Sequence, residues 1–199
     1  MIEKTYKASI TREQFYFYEM RTVSKLLLEG LSKEEVFEKI VSENLFQYPT
    51  ERTISRAAKC CLSRIDSVGD DSIIKLIAER PSEVAKQACL YAMMKQHYLV
   101  WDFMITVIGA KYREFDLSYG KRDLNAFIMR LQEQNESVAA WTDDTTNKVK
   151  QVLNRILLEN DYIDSLNATT LNPVLIDSEL ENLLRSNNDE AALIAFNRF

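Results

Sequence analysis

From Glu83 to Gly109 the chain carries apolar side chains on almost every side of a helical projection. Tyr91, Met94, Tyr98, Trp101, Ile105 and Ile108 recur at intervals of three and four, and Leu90, Met93, Val100, Met104 and Val107 do so on another side. A helix apolar on several faces is stable in water only when other elements surround it. The segment is therefore expected to be one long central helix, about 83–109, with the rest of the chain packed round it. Its most apolar stretch, Tyr98–Ala110, contains Asp102. That stretch is shorter than the about 20 residues a membrane span needs, and a carboxylate at the bilayer centre costs about 3 kcal/mol. No membrane partner is expected.

The surrounding elements announce themselves by their ends. Thr11-Arg-Glu-Gln14 has the form of a capping box opening a helix over about 12–29, closed by Gly30, and Ser32-Lys-Glu-Glu35 repeats the pattern before Val36, Phe37, Ile40 and Val41. Pro49 breaks the chain and Thr50 caps a helix over about 51–67, while Asp70 or Asp71 opens a shorter one through Glu79, before Pro81. Further helices are expected at Lys121–Gln134, at about 143–158 after Thr142, and at Ser178–Ser186, with a connection over 109–120 and a partly mobile terminus. Four glycines and three prolines in 199 residues leave little for the turns of a β protein. The expected fold is all-α, a compact helical bundle over 1–110 with a smaller C-terminal helical part and an irregular acidic tail over 111–199.

Catalysis is approached by elimination. There is no P-loop, no GxGxxG and no GxSxG, and His97 is the sole imidazole available to a nucleophile pair. Cys60, Cys61 and Cys89 form neither a CxxC pair nor an even disulfide set, and with one histidine they fall short of a zinc site. No catalytic residue, metal or cofactor is expected, and the cysteines suit a reducing cytoplasm. An enzyme using Asp102 and His97 with Tyr91 or Tyr98 would require these groups to converge, although about 140° separates the first two round an ideal helix. Asp102 reads better with Lys95 and Thr106 as a narrow polar strip paired to a neighbouring helix.

The net charge of −5 is unevenly spread: from Glu159 onward eight acids face two arginines, leaving 23 basic and 22 acidic residues in 1–158. A neutral body with local basic faces can still contact phosphate. Arg52, Arg56 and Lys59 stand one turn apart opposite a buried stripe of Ile54, Ala58, Cys61, Leu62, Ile65 and Val68, with Thr53 and Ser55 adding hydroxyls. A helix-turn-helix reading would have helix 143–158 present Thr146, Lys148 and Lys150, with Arg155 further along, although Asp143 and Asp144 sit where DNA would approach.

Several short motifs occur in order: Arg21 with Leu26-Leu27-Leu28-Glu29-Gly30, Asn44-Leu45-Phe46, Thr53 and Arg56, Arg64, Trp101-Asp102-Phe103, and Trp141 with Thr145 to Leu158. Over about residues 12–185 the chain resembles the BrxA family, small proteins of bacterial BREX phage-defence systems. The resemblance implies an all-helical fold likened to NusB, no catalytic activity and other BREX proteins as partners. It raises Arg52, Arg56, Lys59 and Arg64 to expected contacts for DNA or RNA, while Lys148, Lys150 and Arg155 are candidate contacts on the helix-turn-helix reading. The competing reading is a protein-protein adaptor that does not touch nucleic acid.

Overall fold

A computed structural model describes residues 5–199 and is all-α among them; no strand forms, and one isolated bridge joins Ser118 to Thr170. The described chain divides into two compact units, Phe15–Gln96 and a second made of the residues up to Gln14 together with His97–Phe199. The division therefore falls at 14/15 and 96/97, whereas sequence placed it near residue 110.

In the contiguous unit, five helices follow the expected order: α1 (Phe17–Leu28), α2 (Lys33–Ser42), α3 (Glu51–Val68), α4 (Ser72–Glu79) and α5 (Ser82–Gln96). Helix α1 packs on α3 and α4, α5 packs on the same two, and α2 covers α3. The capping box at Ser32 forms, with Glu35 N–H donating to Ser32 Oγ at 3.2 Å and Ser32 N–H to Glu35 Oε2 at 2.8 Å. Gly30, at φ +93°, lets Leu31 N–H reach Leu26 O and its own N–H reach Leu27 O, which closes α1 with two otherwise unpaired carbonyls satisfied. The box expected at Thr11 does not form. Thr11 lies in a 3-10 turn, Ala8–Arg12, with its hydroxyl donating to Ala8 O, and α1 starts only at Phe17 behind a left-handed Tyr16.

The long central helix also requires correction. Helix α5 ends at Gln96, His97 is extended (φ −120°, ψ 103°), and the chain resumes as α6 (Tyr98–Phe103), a π-helix (Met104–Gly109) and α7 (Ala110–Arg113). The His97 ring is fixed by Glu13, Nε2 to Oε2 at 2.9 Å, a partner distant in sequence that a helical projection does not contain.

The discontinuous unit adds α8 (Lys121–Gln134), α9 (Glu136–Ala139), α10 (Asp143–Glu159, capped by Thr142) and α11 (Ser178–Ser186). Residues 117–119 and 169–171 run side by side, with Tyr119 N–H donating to Thr169 O and Leu171 N–H to Leu117 O. The terminus expected to be mobile forms a 3-10 helix, Glu190–Phe196, that packs on the π-helix and α7. Leu193 and Phe196 are buried there, each worth about 1.5–3 kcal/mol of hydrophobic stabilisation. Phe196 sits beside Ala195, whose carbonyl accepts a hydrogen bond from buried Tyr162 at 2.9 Å. Among the described residues no helix is long and apolar enough to cross a membrane.

Candidate nucleic-acid interface

Helix α3 has a buried and an exposed face. Ala57, Cys61, Arg64 and Val68 recur at i, i+4, i+7 and i+11 and are buried, while Arg52, Arg56 and Lys59 are exposed. The three cations fall within about 60° of one another round the axis, so they form one stripe. Lys59 Nζ lies 5.4 Å above the Phe37 ring of α2, which fixes the end of that stripe. Thr53 shares a hydrogen bond with Thr50 at 2.8 Å, and of the two acids on α3, Glu51 and Asp66, the second is ion-paired to Lys33.

Arg64 does not belong to this surface. It is fully buried, donates from Nη1 to Phe15 O at 2.7 Å and from Nε to Gln96 Oε1 at 3.2 Å, and lies 5.4 Å from the Tyr16 ring centroid. A guanidinium enclosed by a carbonyl, an amide and an aromatic face has no approach for a phosphate. Its spacing places it on the buried stripe, which overturns the nucleic-acid contact that the family resemblance implied for it.

The cations of α10 are likewise not one face. Lys148 and Arg155 are exposed and lie about 20° apart, whereas Lys150 is about 160° from Lys148. Lys148 pairs with Asp144 at 2.7 Å, and Lys150 Nζ donates to Asn125 Oδ1 of α8 at 3.0 Å. Thr146, expected at the groove-facing side, is buried. Between α8 and α10 lies a cleft of about 300 Å³ in which Lys121 and Asn125 face Asn147, Lys150 and Gln151. Asn147, Lys150, Gln151 and Asn154 stand at i, i+3, i+4 and i+7, the spacing of one helix face, a polar signal weaker in sequence than the cations beside it.

Asp102 is buried and, together with Thr106, is paired to a neighbouring helix as expected, but the break at His97 puts Lys95, the third member of the expected strip, on α5. Asp102 Oδ2 accepts from Arg130 Nη2 of α8 at 2.7 Å and from Tyr6 O–H at 3.2 Å, while Thr106 Oγ1 donates to Asp102 O at 2.7 Å and accepts from Arg130 at 3.0 Å. Burial first, then the facing Asp102 carboxylate, pushes the Tyr6 phenol well above its ordinary range. His97 is tied to Glu13 and Ser9 instead, so the two candidate catalytic groups have separate partners. Among the described residues no cluster of His, Cys, Asp and Glu is placed to hold a metal, and all three cysteines are buried thiols in no disulfide. Burial raises the Cys89 thiol to about 12 and that of Cys61 also upward, which disfavours the reactive thiolate.

Comparison with known proteins agrees over nearly the whole length. The family model described as BrxA matches residues 4–188. A BREX protein BrxA from Bacillus cereus (strain H3081.97) is 38% identical over 161 residues, covering 81% of this chain and 80% of its own. One from Paramagnetospirillum magneticum (strain AMB-1) is 27% identical over 190 residues, covering 96% and 95%. The crystal structure of an uncharacterized protein from Magnetospirillum magneticum superposes with a TM-score of 0.81 at 25% identity, covering 96% of this chain and 97% of that one.

Proposed function

The chain belongs to the BrxA family, and from that premise we propose that it serves as a non-enzymatic subunit of a bacterial BREX phage-defence system, working in the cytoplasm with other BREX proteins and contacting DNA or RNA through basic helical surfaces. The observation that carries the nucleic-acid part is the single exposed stripe of Arg52, Arg56 and Lys59 on α3. Phosphates lie along a strand at a regular spacing, and cations one helical turn apart on a rigid element can meet several of them at once. Lys148 and Arg155 add a smaller cationic strip on α10, part of whose charge Asp144 already neutralises.

The acidic balance of the chain, net −5, favours a second reading: an adaptor that joins defence proteins without touching nucleic acid. A mobility shift with DNA and RNA of equal length across a salt series separates the two. Three phosphate contacts predict a shallow plot of log K against log salt, with a slope near about −3. Reversing Arg52, Arg56 and Lys59 to Glu should abolish retention. Retention that ignores both salt and these reversals would rule out the stripe as the contact, and no retention at any salt would leave the adaptor.

A further inference from the structure

The cleft between α8 and α10 changes character along its length. One half, about 300 Å³, carries Lys121, Asn147, Lys150 and Gln151; the other, about 280 Å³, is walled by Tyr119, Leu166 and Ala168. Lys121, Leu124 and Asn154 line both, so the halves adjoin. No carboxylate lines either half, in a chain with 30 acids against 25 lysines and arginines. The apolar half has a fixed wall: Tyr119 O–H donates to Asn154 Oδ1 at 3.1 Å and Asn154 Nδ2 to Leu166 O at 2.9 Å. By contrast, the side chains of Lys121, Asn147 and Gln151 are exposed and engage no described residue.

We propose that this cleft binds one unpaired nucleotide, with its phosphate at the lysine half and its base in the half walled by Tyr119, Leu124 and Leu166. Two ammonium groups with no carboxylate among the lining residues favour an anion. Beside them, the Asn147 and Gln151 amides can donate to phosphate and sugar oxygens. The apolar wall takes the flat face of the ring. A sugar lacks the anion and the flat face, and a phosphate alone leaves the apolar half empty. The nucleotide is either free or part of a single strand; in the second case the inference rests on the nucleic-acid reading above and gives α10 a role distinct from that of α3.

Titration calorimetry on the full chain with the four ribonucleoside monophosphates, ribose 5-phosphate, inorganic phosphate, a short single strand and its duplex tests this. The expected result is saturable one-to-one binding of at least one mononucleotide, or of the single strand, at least about tenfold tighter than ribose 5-phosphate. That binding should be lost both in Lys121→Ala with Lys150→Ala and in Asn147→Ala with Gln151→Ala. All four positions are on the surface or half-buried, so an unchanged urea midpoint checks that the variants fold. Mononucleotide binding should be unaffected by Glu at Arg52, Arg56 and Lys59. Binding of a free nucleotide identifies a small-molecule source, and binding of the single strand alone identifies a strand. The proposal is overturned if ribose 5-phosphate or phosphate binds as tightly as the nucleotides, if binding survives both double substitutions, or if neither nucleotide nor single strand saturates. Duplex binding that depends on α3 alone, without nucleotide or single-strand binding, sinks this inference and leaves the proposed function standing. Nucleotide binding without retention of any strand does the reverse.

Discussion

Arg56 and Arg64 lie eight residues apart on α3, one exposed and one enclosed, and the same substitution should separate them. Arg64→Ala leaves the Phe15 carbonyl without its donor and opens a cavity beside Tyr16, so a loss of about 3 kcal/mol in urea denaturation is expected. Arg56→Ala should change stability by no more than about 0.5 kcal/mol. At Asp102, Arg130→Ala removes the charged donor from a buried carboxylate, which should cost about 1–3 kcal/mol; replacing both residues with Leu should recover part of that loss, because no unpaired charge then remains. Asp116 gives a pH signature. Hydrogen bonds from the Ser118 hydroxyl and backbone, with the Lys111 ammonium, hold its carboxyl down to about 2, against about 3.9 in an unfolded chain. The lowered group contributes stability that is complete above pH about 4, shrinks as the pH falls and is gone below about 2. The difference in urea midpoint between the native chain and Asp116→Asn should therefore be constant near neutral pH and close over that window. A gap that persists at the acid end would assign the effect to packing.

Element by element, the sequence was legible where a helix starts and stops on its own side chains. Ser32, Thr50, Thr142 and Asp177 each cap the helix that follows, and the ends of α2, α3, α8, α10 and α11 lie close to where turn chemistry puts them. It was opaque where the decisive contact comes from far along the chain. The 83–109 pattern does not betray a break at His97, because the partner of that ring is Glu13. Nor does it betray the π-helix, where Thr106 bonds to the Asp102 carbonyl one turn back and Arg130 of α8 holds both. The candidate site divides in the same way: the α3 stripe follows from spacing alone, whereas the α8–α10 cleft needs two helices brought together. Gly109 is a further case, since a Cβ there would sit 2.7 Å from Ile194 Cγ2 and 3.1 Å from its carbonyl carbon. Gly109→Ala should cost about 1–3 kcal/mol. In combination with Ile194→Ala the loss should be smaller than the sum of the two single losses, a coupling that a double-mutant cycle in urea measures.

On the scale of the whole molecule, removing residues 190–199 strips the buried Leu193 and Phe196 from the π-helix and α7. Thermal unfolding followed by circular dichroism should then show a lower midpoint, and an unchanged midpoint would mean that this segment adds nothing to the fold. The two passages of the chain between units, at 14/15 and 96/97, make Phe15–Gln96 an insertion within the other unit. That connectivity sets an order of events on the ribosome. The inserted helices are complete once Gln96 has left the exit tunnel, at about 5–20 residues per second, and can fold as a self-contained stretch. The segment Ala8–Arg12, synthesised earlier, must wait for its partner α10 more than a hundred residues later, and Gly109 must wait for Ile194. Residues 8–12 are thus made before the inserted helices yet find their place after them, and an arrested nascent chain should resist protease across 15–96 while residues 8–12 are still cut.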